Sequence, residues 1–167
     1  MMSRSIRVET ADFCIATEYQ AGLARVEVEH PGACGAVASF VGLVRDHFGD
    51  ESVDELFLEH YPGMTERSIE ALIEKAEQRW SLLDTLVVHR VGALAPKEQI
   101  VLVQVASGHR PDAFAACEFI MDYLKTDAVF WKRESHGSGK GRWVESTDGD
   151  RKRAQAWTEG ASQESKA

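Results

Sequence analysis

Residues 86–125 read LVVHRVGALAPKEQIVLVQVASGHRPDAFAACEFIMDYLK, and this stretch decides the fold. Two runs rich in Val, Ile and Leu, at residues 86–91 and 100–106, predict strands because branched side chains favour extended backbone. The turn-like residues 95–98 make the connection short, which predicts antiparallel pairing. Pro111 and Asp112 then open a helix with apolar positions every three or four residues. A strand pair followed by a helix is typical of an α+β fold.

Similar patterns extend the prediction in both directions. Strands are expected at residues 35–41, 53–60 and 128–134, followed by the short pair Trp143-Val144. A helix is expected after the breaker Pro62-Gly63, with Thr65 as its N-cap. In the helix after Arg110 the expected buried positions are Phe114, Cys117, Ile120, Met121 and Leu124. The order of elements favours an α+β fold over a doubly wound one.

Length and composition fit one globular domain. The chain has 167 residues, of which 44% are hydrophobic and 28% are charged, enough to bury a core. We expect a single domain over residues 1–147. Residues 148–167 are polar, with Trp157 as their one large apolar side chain, and predict a flexible tail.

Charge is distributed unevenly along the chain. A net charge of -8 argues against a dedicated binder of nucleic acid or anionic membranes. Residues 1–124 hold 10 basic and 20 acidic side chains, whereas residues 125–167 hold 9 basic and 7 acidic ones. A local cationic cluster on an acidic chain fits a small anionic ligand or the acidic end of a partner. The alternative is an ordinary solvated surface, which composition alone favours.

Other sequence features indicate the cellular compartment and limit the possible chemistry. No secretory signal and no apolar run long enough to span a bilayer is visible. Cys14, Cys34 and Cys117 form no CxxC pair, and such sparse cysteines suit a reducing cytoplasm. The six histidines lack metal-ligand spacing and no cofactor motif is present, so we expect neither a catalytic metal nor a cofactor.

Two cationic groups stand at ends of predicted elements. His109 and Arg110 lie where a strand gives way to a helix, and free N–H groups and the helix dipole favour anions there. Arg45 follows the apolar run 35–44 and opens a glycine-containing loop. A simple turn with a surface arginine is the ordinary alternative for each group.

A pair of lysines is the third candidate. Lys125 ends the helix and Lys132 lies on the next strand, seven residues later, so both can face one cleft. Neighbouring ammonium groups lower each other's pKa, which makes a lysine usable as acid, base or nucleophile near neutral pH. The ordinary alternative is a lysine that complements a helix dipole and another that protects a strand edge.

Taken together, five strings resemble a known family in order and spacing. They are LEHYPGMT at residues 58–65, HRVG at 89–92, SGHR at 107–110, FIMDYLKT at 119–126 and FWKRE at 130–134. The resemblance is to the large, catalytic subunit of molybdopterin synthase and covers roughly residues 13–145. The lysine-containing blocks YLKT and FWKRE are its most specific part.

The resemblance implies a fold, a reaction and partners. The implied fold is α+β, of the α/β-hammerhead type with an additional antiparallel β subdomain. The implied reaction is sulfur transfer to cyclic pyranopterin monophosphate, giving molybdopterin without a redox cofactor. The sulfur donor is the C-terminal thiocarboxylate of a small ubiquitin-like subunit, and two large and two small subunits form a heterotetramer around a dimer of large subunits.

It also implies roles for individual residues. The catalytic residues are Lys125 and Lys132. The substrate-binding residues are Arg45, His109, Arg110, Arg133, Glu134 and Arg142. Residues 135–141 match no family pattern, so the resemblance gives His136 and Lys140 no role. Two non-enzymatic alternatives stay open: a module that binds a phosphorylated small molecule, and one that captures a ubiquitin-like C-terminal tail.

Overall fold

The fold is described from a computed structural model, in which residues 2–128, 130–137 and 141–164 are placed. The helices are α1 Ile15–Glu29, α2 Met64–Glu77, α3 Arg110–Leu124 and α4 Asp148–Glu164. The strands are β1 Ser3–Glu9, β2 Ala36–Leu43, β3 His47–Phe48, β4 Glu51–Ser52, β5 Glu55–His60, β6 Leu82–Arg90, β7 Gly92–Leu94, β8 Gln99–Ser107, β9 Phe130–Ser135 and β10 Gly141–Val144. Among these helices, none is long and apolar enough to cross a membrane.

The predicted hairpin forms the middle of the first sheet, called here the central sheet. Its order is β1-β6-β8-β2, and β6 pairs antiparallel with β8, with Val87 opposite Val103. Because side chains alternate along a strand, these valines pack on one face with α2 and α3. Leu86 and Leu102 lie on the other face with Phe13. The central sheet is therefore buried on both sides.

A second sheet, β10-β9-β5-β7, is antiparallel throughout. Leu56 and Leu58 of β5 turn inward and form a smaller core with Val91 and Leu94. The α+β prediction and its additional antiparallel sheet are thus confirmed. Val129, which belongs to the predicted strand over residues 128–134, lies outside the described residues.

Helix α1 and strands β1, β3, β4 and β7 were not predicted from the sequence. Helix α1 buries only Gly22 and Val26, so it lacks an apolar stripe. It packs instead through polar contacts: the Arg25 guanidinium donates to both carboxylate oxygens of the buried Asp84, at 3.0 Å each. A Cβ at Gly22 would collide with the side-chain amide of the buried Gln104, so any larger residue would force that side chain to shift. Tertiary polar contacts of this kind leave no periodic pattern.

Two details of the predicted helices were wrong. Phe114 is 64% exposed rather than buried, because its side chain lines an open cavity beside β2 instead of packing into the core. Helix α2 begins one residue before Thr65 and has Gly63 as its N-cap, with φ of 81°. Thr65 is buried, and its hydroxyl accepts a hydrogen bond from the Tyr61 N–H at 3.0 Å.

Residues 148–164, within the segment expected to be a flexible tail, form α4 in the structure. The reason is Trp157, whose ring packs edge-on against Trp80 and Phe119 at centroid distances of 5.6 and 5.5 Å. Its indole N–H donates to Asp122 Oδ2 at 2.8 Å, and Arg79 donates to its backbone carbonyl at 2.6 Å. One aromatic anchor thus fixes a helix of low mean hydropathy.

We predict that Trp157→Ala releases α4. Loss of this partly buried ring should lower the free energy of unfolding by about 2–4 kcal/mol, near the range for large-to-small core changes. At this chain length that corresponds to a melting temperature lower by about 5–12 °C. Differential scanning calorimetry measures the shift, and limited proteolysis reports cleavage within residues 148–164.

Phe114→Ala is the matched control, because it removes an aromatic ring that is mostly exposed. It should change the free energy of unfolding by no more than about 0.5 kcal/mol. Equal melting temperatures for Trp157→Ala and Phe114→Ala would contradict the anchoring role.

Candidate active site

A cleft of about 570 Å³ opens between the edge strand β2, the second sheet and the C-terminal end of α3. Four residues predicted for the site line this cleft: Arg45, Lys125, Lys132 and Glu134. They come from the loop after β2, the end of α3 and strand β9. Three cations and a carboxylate that are distant in sequence therefore share one hollow.

Local structure explains how the two lysines come to the cleft. Lys125 is the C-cap of α3, and the turn after it is closed by the N–H groups of Thr126 and Asp127, which both donate to the Tyr123 carbonyl, at 3.1 and 2.7 Å. The turn leads into β9, where Lys132 pairs with Leu58 of β5 and Val144 of β10. Paired residues share a face, and this face carries the buried Leu58 and the cleft-lining Val144.

The charges in the cleft are closely coupled. Burial lowers the pKa of the Lys132 ammonium, and the positive charges of Lys125 and Arg45 lower it further. The carboxylates of Asp150 and Glu134 act in the opposite direction. Asp150 Oδ1 lies 3.6 Å from Lys125 Nζ. A lysine with a depressed pKa holds a larger neutral fraction near pH 7 and can transfer a proton.

Apolar side chains form the rest of the wall. They include Phe40, Val44, Leu56, Met121 and Leu124. The guanidinium carbon of Arg45 stands 5.3 Å from the centre of the Phe48 ring, which holds this cation at the rim. Cations in such a partly desolvated cleft stabilise a developing negative charge better than they would in water.

A second cavity, of about 780 Å³, meets the cleft at Lys125. It lies between β2, α3 and the start of α4. The two cavities share Phe40, Met121, Lys125, Thr147 and Asp150. Two openings therefore lead to the same ammonium group. Asp150 was missed from the sequence, because nothing in the polar segment after residue 147 indicates that it returns to the lysines.

His109 and Arg110 do not join this cleft within one chain. His109 is the N-cap of α3 and Lys125 is its C-cap. At 1.5 Å per residue, the helix separates the two ends by about 24 Å. Both residues are exposed at the far end of the helix.

Arg133 and Arg142 also lie outside the cleft lining. Strand alternation turns Arg133 to the face opposite Lys132, where its guanidinium carbon is 5.1 Å from the Phe57 ring centre and 5.9 Å from that of Trp143. Arg142 pairs with Glu134 and is exposed on β10. The family resemblance implied a substrate-binding role for both arginines, and within one chain neither of them lines the cleft.

The glycine-containing segment after β9 is only partly described. His136 Nδ1 lies 2.9 Å from the Ser52 carbonyl, and its Nε2 lies 3.6 Å from Glu134 Oε2. Lys140 lies outside the described residues. Within residues 2–128, 130–137 and 141–164, no group of three or more His, Cys, Asp or Glu side chains is arranged to hold a metal ion.

Comparison with known proteins now gives the family. A family model described as MoaE protein matches residues 10–127. The molybdopterin synthase catalytic subunit of Ralstonia nicotianae is 52% identical over 153 residues, which cover 92% of this chain and 84% of the relative.

Solved structures agree with this match. The molybdopterin biosynthesis MoaE protein from Burkholderia ambifaria has a TM-score of 0.76 and 44% identity, with 94% of this chain and 99% of the other covered. A complex of subunits 1 and 2 of molybdopterin-converting factor from Helicobacter pylori shares the fold, with a TM-score of 0.62, 18% identity and coverage of 87% and 90%. The chain belongs to the MoaE protein family, that of the molybdopterin synthase catalytic subunits.

Proposed function

We propose that this chain transfers sulfur to cyclic pyranopterin monophosphate, and that the sulfur comes from the C-terminal thiocarboxylate of a small ubiquitin-like subunit. The observation that carries the proposal is the convergence of Lys125, Lys132 and Arg45 on one cleft of an acidic chain. Both reactants are anions, and a compact cationic hollow holds two anions together. The proposal includes a cytoplasmic location.

The proposed sulfur transfer requires two properties, and the cleft has both. Cleavage of the acyl–sulfur bond puts negative charge on the carbonyl oxygen, and a well-placed cation or N–H donor stabilises it by about 2.7–4 kcal/mol. Sulfur attack and ring opening require protons to move, which suits Lys132 because burial and its cationic neighbours lower its pKa. Two small-subunit tails supply the two sulfurs of the dithiolene in turn.

The two cavities support separate places for the reactants. The cleft with Arg45 and Lys132 suits the phosphorylated pterin, because it presents the cations. The larger cavity between β2, α3 and α4 suits the peptide tail of the donor, because it extends along the edge strand and reaches Lys125. Lys125 then stands between the donor carbonyl and the pterin.

The proposal also includes a dimer of this chain, with a small subunit on each copy. His109 and Arg110 are expected to bind substrate, yet they stand about 24 Å along α3 from Lys125. A second copy that brings its α3 N-terminus to the cleft supplies these groups. In the Helicobacter pylori structure, two different subunits of the converting factor form a complex.

The first test replaces the central lysine. Lys125→Ala should lower kcat by about 10²–10³-fold, the usual cost of one stabilising donor of a developing oxyanion. The assay mixes the protein with thiocarboxylated small subunit and cyclic pyranopterin monophosphate, and measures dithiolene product. Lys132→Ala should also lower kcat.

Lys152→Ala is the control, because Lys152 is exposed on α4 and lines neither cavity. It should leave turnover unchanged. If the unmodified protein binds the pterin but forms no product with a competent partner, and Lys125→Ala weakens only that binding, the chain is a binding module. If the unmodified protein forms no product with a competent partner, the proposed function fails.

The second test measures the coupling of Lys132 to its neighbours. Arg45→Gln should raise the pKa of Lys132, because it removes a positive charge that disfavours the ammonium form. Asp150→Asn should lower it, because it removes a negative charge that favours the ammonium form. Competitive acetylation with mass spectrometry reports each shift, since only the neutral amine reacts.

Lys75 on α2 provides the internal reference, and its labelling curve should not move in either variant. Shifts of Lys132 in the same direction for both substitutions would contradict the arrangement of charges described here.

The third test asks whether two copies build one site. Arg110→Ala and Lys125→Ala should each lose activity alone. Mixed dimers of the two variants hold one cleft that is intact in both residues, so random re-association should restore about a quarter of wild-type activity. Activity that stays at the level of the separate variants would show that Arg110 does not act across a dimer.

A further inference from the structure

His89 lies in the inner wall of the cleft and has no place in the reaction described so far. It is on β6 of the central sheet, opposite Val101, and is only 6% exposed. Its ring stacks on Phe130 of the second sheet, with the centroids 3.9 Å apart and the planes 21° from parallel. The imidazole therefore joins the two sheets and lines the cleft that holds Lys132.

The hydrogen bonds of His89 fix its tautomer. Nδ1 lies 2.8 Å from the carbonyl oxygen of Arg90, and a carbonyl only accepts, so Nδ1 carries the hydrogen. Burial lowers the pKa of His89 to about 4, and the charge of Lys132 lowers it as well. The ring is neutral at pH 7, and its Nε2 has a free lone pair.

The backbone that holds Nδ1 is itself fixed. The Arg90 guanidinium is buried and donates to the carbonyls of Gln99, at 3.0 Å, and Thr10, at 3.3 Å. Glu98 accepts from it at 3.4 Å. The orientation of the His89 ring is therefore set by the Nδ1 hydrogen bond on one edge and by Phe130 on one face, before any ligand arrives.

Nε2 is left to face the cleft. Among the described residues, Nε2 has no hydrogen-bond partner. It is also absent from the polar atoms that are sealed from solvent without a partner, so it is accessible from the cleft. Its neighbours in the cleft are cations, which bind the anionic part of a ligand, and the carboxylates of Glu134 and Asp150. His89 thus offers an uncharged hydrogen-bond acceptor that is pre-oriented and partly desolvated. Such an acceptor favours ligands that place an N–H group opposite Nε2 over ligands that lack one at that position.

We propose that His89 determines specificity for the heterocycle: its Nε2 accepts a hydrogen bond from a ring N–H or amino group of the pterin. This inference rests on the proposed function, because the pterin is the substrate proposed above. The cations then hold the phosphate end, and His89 fixes which edge of the ring enters the cleft.

Two substitutions separate the acceptor from the bulk of the ring. His89→Gln places an amide oxygen near the position of Nε2, whereas His89→Asn reaches only the position of Nδ1. Both remove the ring stacked on Phe130. Binding of 6-hydroxymethylpterin, followed by its fluorescence, should weaken about 10- to 100-fold in His89→Asn, the cost of an unmade buried hydrogen bond, and less than about threefold in His89→Gln. In turnover, His89→Asn should raise KM by the same factor with kcat little changed.

A ligand-side measurement avoids any effect of the substitutions on folding. The unmodified protein is titrated with 6-hydroxymethylpterin and with its 2-dimethylamino and 3-methyl derivatives. At least one derivative should bind about 10-fold more weakly, since its accepted N–H is gone.

The outcomes divide clearly. Equal binding of all three ring probes, no binding of the unmodified pterin, or equal losses in His89→Asn and His89→Gln would overturn the inference. Selective loss in His89→Asn supports it. If the unmodified protein binds the pterin with this selectivity but forms no dithiolene product, the proposed sulfur transfer fails and the role of His89 in ring recognition stands.

Discussion

The site depends on two ammonium groups and a guanidinium that share one partly desolvated cleft. Like charges at close range repel, and burial adds a desolvation cost for each ion. Two carboxylates partly compensate these positive charges. Asp150 lies beside Lys125, and Glu134 lies two residues after Lys132 on the same strand face. Burial and the positive charge that these carboxylates do not compensate lower the pKa of Lys132. The same repulsion that destabilises the folded chain makes this lysine useful for proton transfer.

Helix α4 connects the stability of the fold to the charge of the site. Trp157 fixes the helix against Trp80 and Phe119, two turns away from the cleft. The first turn of the same helix brings Asp150 to Lys125 and forms a wall of both cavities. An apolar contact thus sets the position of a carboxylate, and the carboxylate sets part of the electrostatic field that Lys132 experiences.

The cleft also has an ordered polarity. Arg45 stands at the rim on the Phe48 ring, the lysines line the middle, and His89 lies deeper, at the junction of the two sheets. A ligand with an anionic group at one end and N–H donors at the other matches this order. The second sheet is therefore part of the site, because it supplies both Lys132 and the Phe130 ring on which His89 stacks.

The sequence by itself determined the parts of the protein that are local. Propensity and proline geometry determine the valine-rich strands around residues 86–106 and the start of α3 next to Pro111. The seven-residue spacing of Lys125 and Lys132 is read directly from the sequence. Only the tertiary structure decided the rest. It brought Arg45 and the two lysines to one cleft, returned Asp150 to Lys125 and placed His89 in the inner wall of that cleft. These placements depend on contacts between residues far apart in the chain, and such contacts leave no spacing or period in the sequence.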